Sequence, residues 1–472
     1  MLDNLIEPIA LLIFIVVSAV GSVLALSRSS WFVDYAFLVV AFNRCARRMV
    51  DYYNDQFNPY SLISLTPLVV CGFGTLMVVG TLLRSSSPGE ARLRQALLPY
   101  SVAVAFAFVV GLLNSKLGAI YSLGDYLAPI GLVAFGSWFA FDERICDRWC
   151  RNFCLIVFAV AVYGLWQFYT IPPWDAFWLL AVDFDGYLGE PEPTKMTLFT
   201  TLQERGPAGM FMAGGLILLL LRGVFSHLFR WPMAGVIGYA MLLTYTRTSV
   251  ILCIATCVIF PIINRNANFK VLLGSIIFLT AFIPLIVQQL PGSAYAVERV
   301  STLARIKEDS SFQGRMKFFR ASLSEAITEP LGLGLGSHGI AGKVSTAAES
   351  GMGDSTGYVQ TLRTFGWIGT VLVSLSLWRL WRNSTFALQQ ESRDKTLFFY
   401  RAWFASGMVV FYSGDWLFTA TFFWVLGGYV SGSLSESVAN EPEDPWFDEP
   451  FINDQSSCDR FGLHPISNGY SA

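Results

Sequence analysis

Apolar runs of similar length follow one another along the chain, separated by shorter polar interruptions. They extend from about Ile6 to Leu26, Leu62 to Leu83, Leu97 to Leu113, Leu117 to Phe141, Phe153 to Tyr169, Gly209 to Leu221 and Trp231 to Tyr245. Further runs cover Ser249 to Ile263, Val271 to Leu290, Gly357 to Leu380, Leu397 to Phe411 and Trp416 to Val430. Many approach the roughly 20 residues that a helix needs to cross about 30 Å of hydrocarbon. Helices also satisfy their own backbone polar groups where water is absent. The pattern predicts an all-α, polytopic integral membrane protein of about 12 transmembrane helices, with a large extracytoplasmic loop carrying short helices. A shorter apolar stretch, Trp31 to Phe42, leads into the polar segment NRCARRMVDYYNDQFNPYS.

Two interruptions are too polar to lie in lipid. Ile171 to Arg205 contains Trp174, Asp183, Asp185, Glu190, Glu192 and Glu204, and Glu298 to Thr370 contains Arg299, Arg305, Arg315, Arg320, His338 and Asp354. The connections RGVFSHLFR and NRNANFK are short and basic, which assigns them to the cytoplasm. The first extracytoplasmic loop (171–206), the turn at Arg247 and the major loop (291–356) then share the opposite side. Residues 1–432 form the membrane domain on this map, and the acidic tail, 433–472, is expected to be disordered and cytoplasmic. One part does not close: ARRMVDYY and RSSSPGEARLR both look cytoplasmic, yet one clear span separates them. Either one basic segment faces outward, or Trp31 to Phe42 is not a full crossing, or a hairpin is hidden nearby.

Composition supports the membrane class. The 472 residues are 54% hydrophobic and 14% charged, where a soluble domain carries roughly 25% charged residues. Mean hydropathy is +0.51. A net charge of -2 gives no sign of nucleic-acid binding. Ile6 to Leu26 lacks a basic leader region and a small-residue cleavage site, so it is expected to be retained as a span. Cys146, Cys150 and Cys154 recur every fourth residue, the spacing of one helix stripe, and Cys253 and Cys257 lie one turn apart in a span. Inert packing is the expected role for both sets.

The candidate chemistry lies in the polar interruptions, where ionisable groups escape the cost of lipid. Arg247, in LLTYTRTSVIL, is either an anchor reaching headgroups or a ligand-binding group. Arg315 opens the amphipathic run RMKFFRASLSEAITEP, which places Met316, Phe319 and Leu323 on one face of a helix. Its fixed guanidinium fork suits a diphosphate. Gly334, Gly336 and Gly339 spell G-x-G-x-x-G, but no strand and βαβ unit surrounds them, so a dinucleotide fingerprint is rejected. Gly332, Gly334 and Gly336 are instead expected to form a tight non-helical path with close backbone approach. His338 and Asp354 are the groups on this loop able to take a proton from a sugar hydroxyl. Each has a second reading, His338 as a solvated loop residue and Asp354 as a helix cap. No carboxylate and histidine cluster has metal-ligand spacing, so neither metal nor other cofactor is expected.

The order of these pieces resembles the O-antigen polymerase and O-antigen ligase superfamily. QGRMKFFRASLSEAITEPLGLGLGSHG followed by DSTGYVQTLRTFGWIG is similar to its arginine, amphipathic helix, P-x-G-x-G turn, polar pair and span opening with a glycine pair. TYTRTSVI and LQERGPAGMFMAGGL resemble two further arginine motifs at span boundaries. The resemblance implies a glycosyltransferase of the bacterial inner membrane acting on undecaprenyl-diphosphate-linked glycans at the extracytoplasmic face, without metal or nucleotide sugar. Arg205, Arg247 and Arg315 would hold the diphosphate. Chain-length regulators and export proteins are its implied partners. The ligase branch has a His-Asn pair where this chain has Ser355 and Thr356 after Asp354, which favours polymerisation of O-antigen or exopolysaccharide repeats over ligation to a lipid or protein acceptor. The general base stays open between Asp354, His338 and none. A transporter or flippase of lipid-linked glycan is the alternative of a different class.

Overall fold

Within lipid a backbone N–H or C=O has to find its partner in its own segment, and the apolar runs accordingly form helices. A computed structural model describes residues 3–58, 61–84, 88–140, 142–182, 188–263, 274, 313, 316, 317, 319, 320, 323, 324, 330–337, 357–390, 395–411 and 421–432. These residues are almost entirely helical; the described part contains no strand beyond one isolated bridge, Gly189 to Met196. In chain order the helices are α1 (Asp3–Leu26), α2 (Trp31–Tyr53), α3 (Thr66–Arg84), α4 (Pro88–Ser115), α5 (Leu117–Trp138), α6 (Glu143–Thr170) and α7 (Pro173–Ala181). They continue with α8 (Arg205–Arg222), α9 (His227–Leu243), α10 (Arg247–Ile263), α11 (Gly357–Gln390), α12 (Lys395–Val410) and α13 (Thr421–Gly432). Among the described residues four stretches are long and apolar enough to cross a membrane: Pro8–Leu26, Ala91–Ser115, Leu117–Trp138 and Glu143–Thr170. The Val271 to Leu290 run, the 433–472 tail and most of the 291–356 segment lie outside the described residues.

The helices alternate in direction, which sorts their ends into two sets. One is marked by the start of α8: Leu198 N–H donates to Leu243 O at the end of α9, 3.0 Å away, and Arg44 of α2 donates to Leu202 O at 3.0 Å. At the opposite end Trp149 Nε1 donates to Ser30 O at 2.9 Å, and Arg222 Nη2 lies 2.7 Å from Asp147 Oδ1. Between the ends runs one apolar core, with Phe37, Phe153 and Phe422 interleaved. Cys146, Cys150 and Cys154 are buried thiols on one helix, as are Cys253 and Cys257. By contrast α1 leaves Leu12, Ile15, Val16 and Val23 exposed, the surface expected of a lipid-facing helix.

The second helix corrects the hydropathy map. Trp31–Tyr53 is one 23-residue helix, rather than a short apolar stretch followed by a polar connection. It tolerates its charges because they are buried against partners: Arg148 Nε stands 3.1 Å from Asp34, Arg47 Nε 3.4 Å from Asp51, and Arg48 Nε 2.8 Å from Asp175. ARRMVDYY therefore sits at the α8-start end. RSSSPGEARLR leads into α4 at the other end, where Arg379 of α11 donates to Gln95 O at 2.5 Å. The helical parts of the two basic segments accordingly lie at opposite ends of the bundle.

The glycine-rich segment follows the predicted non-helical path. Helix α11 is broken at Gly366, whose φ of 64° and ψ of -171° interrupt the hydrogen-bond ladder. Residues 330–337 take up the freed groups: Trp367 N–H donates to Pro330 O (3.0 Å), and Leu333 and Gly334 N–H donate to Arg363 O (2.6 Å) and Thr364 O (3.1 Å). On its other side the segment touches α4, where Leu335 N–H donates to Ala107 O at 2.9 Å and Asn114 Nδ2 to Leu333 O at 3.0 Å. Gly334 has φ +82°, and a β-carbon there would fall 2.1 Å from Gly111 N. Gly334→Ala is expected to destabilise the protein by about 1–3 kcal/mol through backbone strain alone, with the clash added. The check is a lower melting temperature in detergent than that of Ser337→Ala, which removes a single hydrogen bond to Gly334 O.

Candidate functional site

The site is built on a buried polar node. Arg48 is fully buried, with Nε 2.8 Å from Asp175 Oδ1, and its guanidinium lies over the rings of Phe199 and Trp178, 5.0 and 5.8 Å from their centroids. Pro172 and Pro173 start α7, and this start holds Asp175 in the first turn. Its second oxygen accepts from Tyr163 OH (2.8 Å) and Gln167 Nε2 (2.5 Å). Trp174 Nε1 donates to that tyrosine at 2.8 Å. Gln167 uses its carbonyl oxygen for the backbone N–H of Thr200 (2.8 Å) and Phe199 (3.3 Å), while Arg48 Nη2 donates to Thr200 O (2.7 Å). Thr197 to Gln203 is thereby fixed in the interior, and Thr200, Thr201 and Gln203 are buried. The Ile171 to Arg205 segment is thus not simply the exposed loop that its polarity suggested. Helix side chains provide its backbone with the partners that water would otherwise supply.

This platform ends at Glu204 and Arg205, where α8 begins. Arg205 is its first residue, Arg247 is the first residue of α10, and both are half-buried. The two helix starts are neighbours. A β-carbon on Gly209, one turn into α8, would lie 2.1 Å from Thr246 Oγ1, 3.0 Å from Thr244 Oγ1 and 3.2 Å from Ser249 Oγ. Thr246 Oγ1 is itself 2.6 Å from Thr244 Oγ1 and 2.9 Å from Ser249 Oγ, so a knot of hydroxyls binds the turn before α10 to the first turn of α8. Neither helix carries an acidic residue in its first turn. Helix N-termini bear a partial positive charge, and the two arginines placed there add to it, while Glu204, the N-cap of α8, opposes it. Two of the sequence-predicted residues, Arg205 and Arg247, are therefore brought together. Arg315, His338 and Asp354 lie outside the described residues.

Beside this corner a cavity of about 100 Å³ enters the bundle. Its mouth carries Asn43, Arg44 and Asp125, the α8 wall is Pro207, Met210, Phe211 and Gly214, and the far side is aromatic, with Phe153, Trp403 and Phe422. Arg44 Nη1 lies 3.7 Å from Glu204 Oε1. Asp125 is attracted by Arg44 and repelled by Glu204. It is exposed although protein surrounds it, because what it faces is the cavity. Neither residue was singled out by sequence. Arg44 was taken for part of a basic connection, whereas Asp125 had an available signal, being a carboxylate inside an apolar run.

These features define a helical membrane protein with an arginine-bearing polar corner and an adjoining chamber at one end of the bundle. Residues 232–374 match the family model described as O-antigen ligase, and the match supports placing the chain in the O-antigen polymerase and ligase superfamily. It takes in Arg247 and the glycine-rich path, while Arg205 precedes it. No curated protein matches the chain in sequence. The family supports a membrane protein that processes glycans carried on lipid.

Arg48→Ala leaves Asp175 as an uncompensated buried charge and is expected to cost about 3–5 kcal/mol. Arg44→Ala, at the partly exposed 3.7 Å pair, is expected to cost no more than about 1 kcal/mol. Thermal unfolding of the two purified variants in one detergent checks the order.

Proposed function

We propose that the chain is a membrane glycosyltransferase that joins undecaprenyl-diphosphate-linked oligosaccharide repeats into O-antigen or exopolysaccharide. The observation that carries this reading is the corner where the arginine-headed starts of α8 and α10 meet, inside a bundle whose 232–374 region matches the O-antigen ligase family model. A diphosphate at this corner meets two guanidinium forks and two helix dipoles. Charge that develops as the carbon–oxygen bond to the diphosphate breaks is stabilised there. Arg315 is the third arginine of the clamp, and Asp354 and His338 are the loop groups available to the acceptor hydroxyl. On this reading about 12 spans cross the inner membrane, and the α8-start end, with the 171–206 and 291–356 segments, faces the extracytoplasmic side. Neither a metal nor a nucleotide sugar takes part. Chain-length regulators and export proteins are the partners such a polymerase works with.

The description of the matched family favours a second reading, transfer of a finished glycan from undecaprenyl diphosphate to a lipid or protein acceptor. Deleting the gene separates the two. A polymerase loss leaves single repeats attached to the surface lipid or abolishes the free polymer, whereas a ligase loss leaves long polymer on its carrier.

Arg205→Ala and Arg247→Ala are each expected to lower polymer formation by about 10²-fold or more, the scale of a lost transition-state donor. Lysine at either position should not restore it, because one ammonium lacks the bidentate fork. Gel profiles of surface glycan, normalised to inserted protein, make the measurement; normal profiles in both alanine variants would remove the clamp.

A further inference from the structure

The cavity beside the arginine corner contains polar groups that the protein does not use for itself. Asp125 lies about two turns into α5, on a stretch long and apolar enough to span the membrane. An ionisable side chain at such a depth is costly and is retained where it serves a pathway or a ligand. Its carboxylate makes no hydrogen bond and no ion pair under 4 Å with any described residue; Arg44 directs its guanidinium to Glu204 and Leu202 O instead. Two further residues of the wall are almost fully buried, and their polar atoms, Trp403 Nε1 and Thr421 Oγ1, have no hydrogen-bond partner among the described residues. The Asp125 carboxylate thus opens on a space lined by Phe153 and Phe422, whose rings stack at 4.4 Å, while the two unpartnered atoms are enclosed behind its wall.

A carboxylate left without a partner in an apolar surround is costly, so the lining describes the occupant. It has a hydroxyl to donate to Asp125 and C–H faces to lie against aromatic rings. A sugar ring has these properties, whereas a hydrocarbon tail leaves the carboxylate unmatched. The α8 wall of the cavity starts at Pro207, just after Arg205, so a ring held here lies next to the diphosphate corner.

We propose that this cavity receives the hydroxyl-bearing end of the acceptor glycan and that Asp125 is a catalytic residue, accepting the proton of the attacking hydroxyl. The inference rests on the glycosyltransferase reading above. In the step, the acceptor oxygen forms its bond to the anomeric carbon while its proton passes to the Asp125 carboxylate. The bond from that carbon to the diphosphate oxygen breaks, and the electron pair leaves with the diphosphate. Asp125 then returns the proton to water once product departs.

The test uses the full-length protein in detergent, a lipid-linked oligosaccharide repeat as substrate, and undecaprenyl diphosphate alone as a binding probe. Asp125→Asn keeps shape and is expected to retain probe affinity within about threefold while chain extension falls by about 10²-fold, the usual contribution of a general base. Asp125→Glu should regain part of the rate, and this variant carries the test if Asp125→Asn does not fold, with probe affinity kept within about threefold and chain extension still well below wild type. An Asp125→Asn protein extending chains within tenfold of wild type overturns the proposal. So does one that loses probe binding as well, since that puts Asp125 in the diphosphate clamp, and so does an Asp125→Glu protein that extends chains at the wild-type rate. Failure of the wild-type protein to bind the probe or consume the repeat overturns the underlying reading, and is told apart because it appears before any substitution.

Discussion

The fully buried Arg48 to Asp175 pair is the interaction from which the candidate site is built. Burying two charges is expensive, and mutual attraction offsets the cost only if the remaining hydrogen-bonding capacity is also met. Here neighbouring side chains meet much of it, and Arg48 Nη1 has no hydrogen-bond partner among the described residues. Tyr163 and Gln167 complete Asp175, and Arg48 and Gln167 together hold both sides of the Thr200 peptide. A segment with no regular structure is thereby packed as firmly as a helix. Its last residues set where α8 begins, and hence where Arg205 stands.

The same end of the molecule contains a second kind of close packing. Gly334 and Gly366 let a non-helical segment and a broken helix exchange hydrogen bonds in place of water. Gly209 lets the hydroxyls of Thr244, Thr246 and Ser249 approach the backbone of α8. In each case irregular backbone lies within a bundle of helices, which is tolerated only when neighbouring groups complete it. The protein places such backbone where it meets the arginine corner or the segment leading up to α11.

Much of this was legible in the sequence, and what was not has identifiable causes. Long apolar runs announce helices because lipid leaves them no other structure, so α4, α5, α6, α8 and α10 appear close to where hydropathy put them. Glycine spacing at 332, 334 and 336 announced a non-helical path, and all three adopt positive φ. Helix α2 was not legible, since Asp34, Arg47, Arg48 and Asp51 mimic a loop until their partners are known, and those partners lie on α6, α7 or one turn along. Arg205 and Arg247 were identifiable as arginines at span boundaries, but their adjacency depends on Gly209, a residue without a distinctive pattern around it. Arg44 was hidden by the same misreading of α2. Asp125 carried a signal of its own, a lone carboxylate in LGAIYSLGDYLAPIGLVAFGSW, which becomes specific only once the cavity beside it is seen.

Arg48 and Asp125 mark the difference between charge that builds a membrane protein and charge that equips it. Around Arg48 the buried polar groups are drawn into one connected network, and the net effect is to position backbone. Asp125 instead opens on a cavity and makes no hydrogen bond with a described residue. Both arrangements lie in one bundle, and the cost of desolvation applies to each. A carboxylate opening on a cavity beside two arginine-headed helix starts is therefore better explained by a ligand that meets it than by imperfect packing.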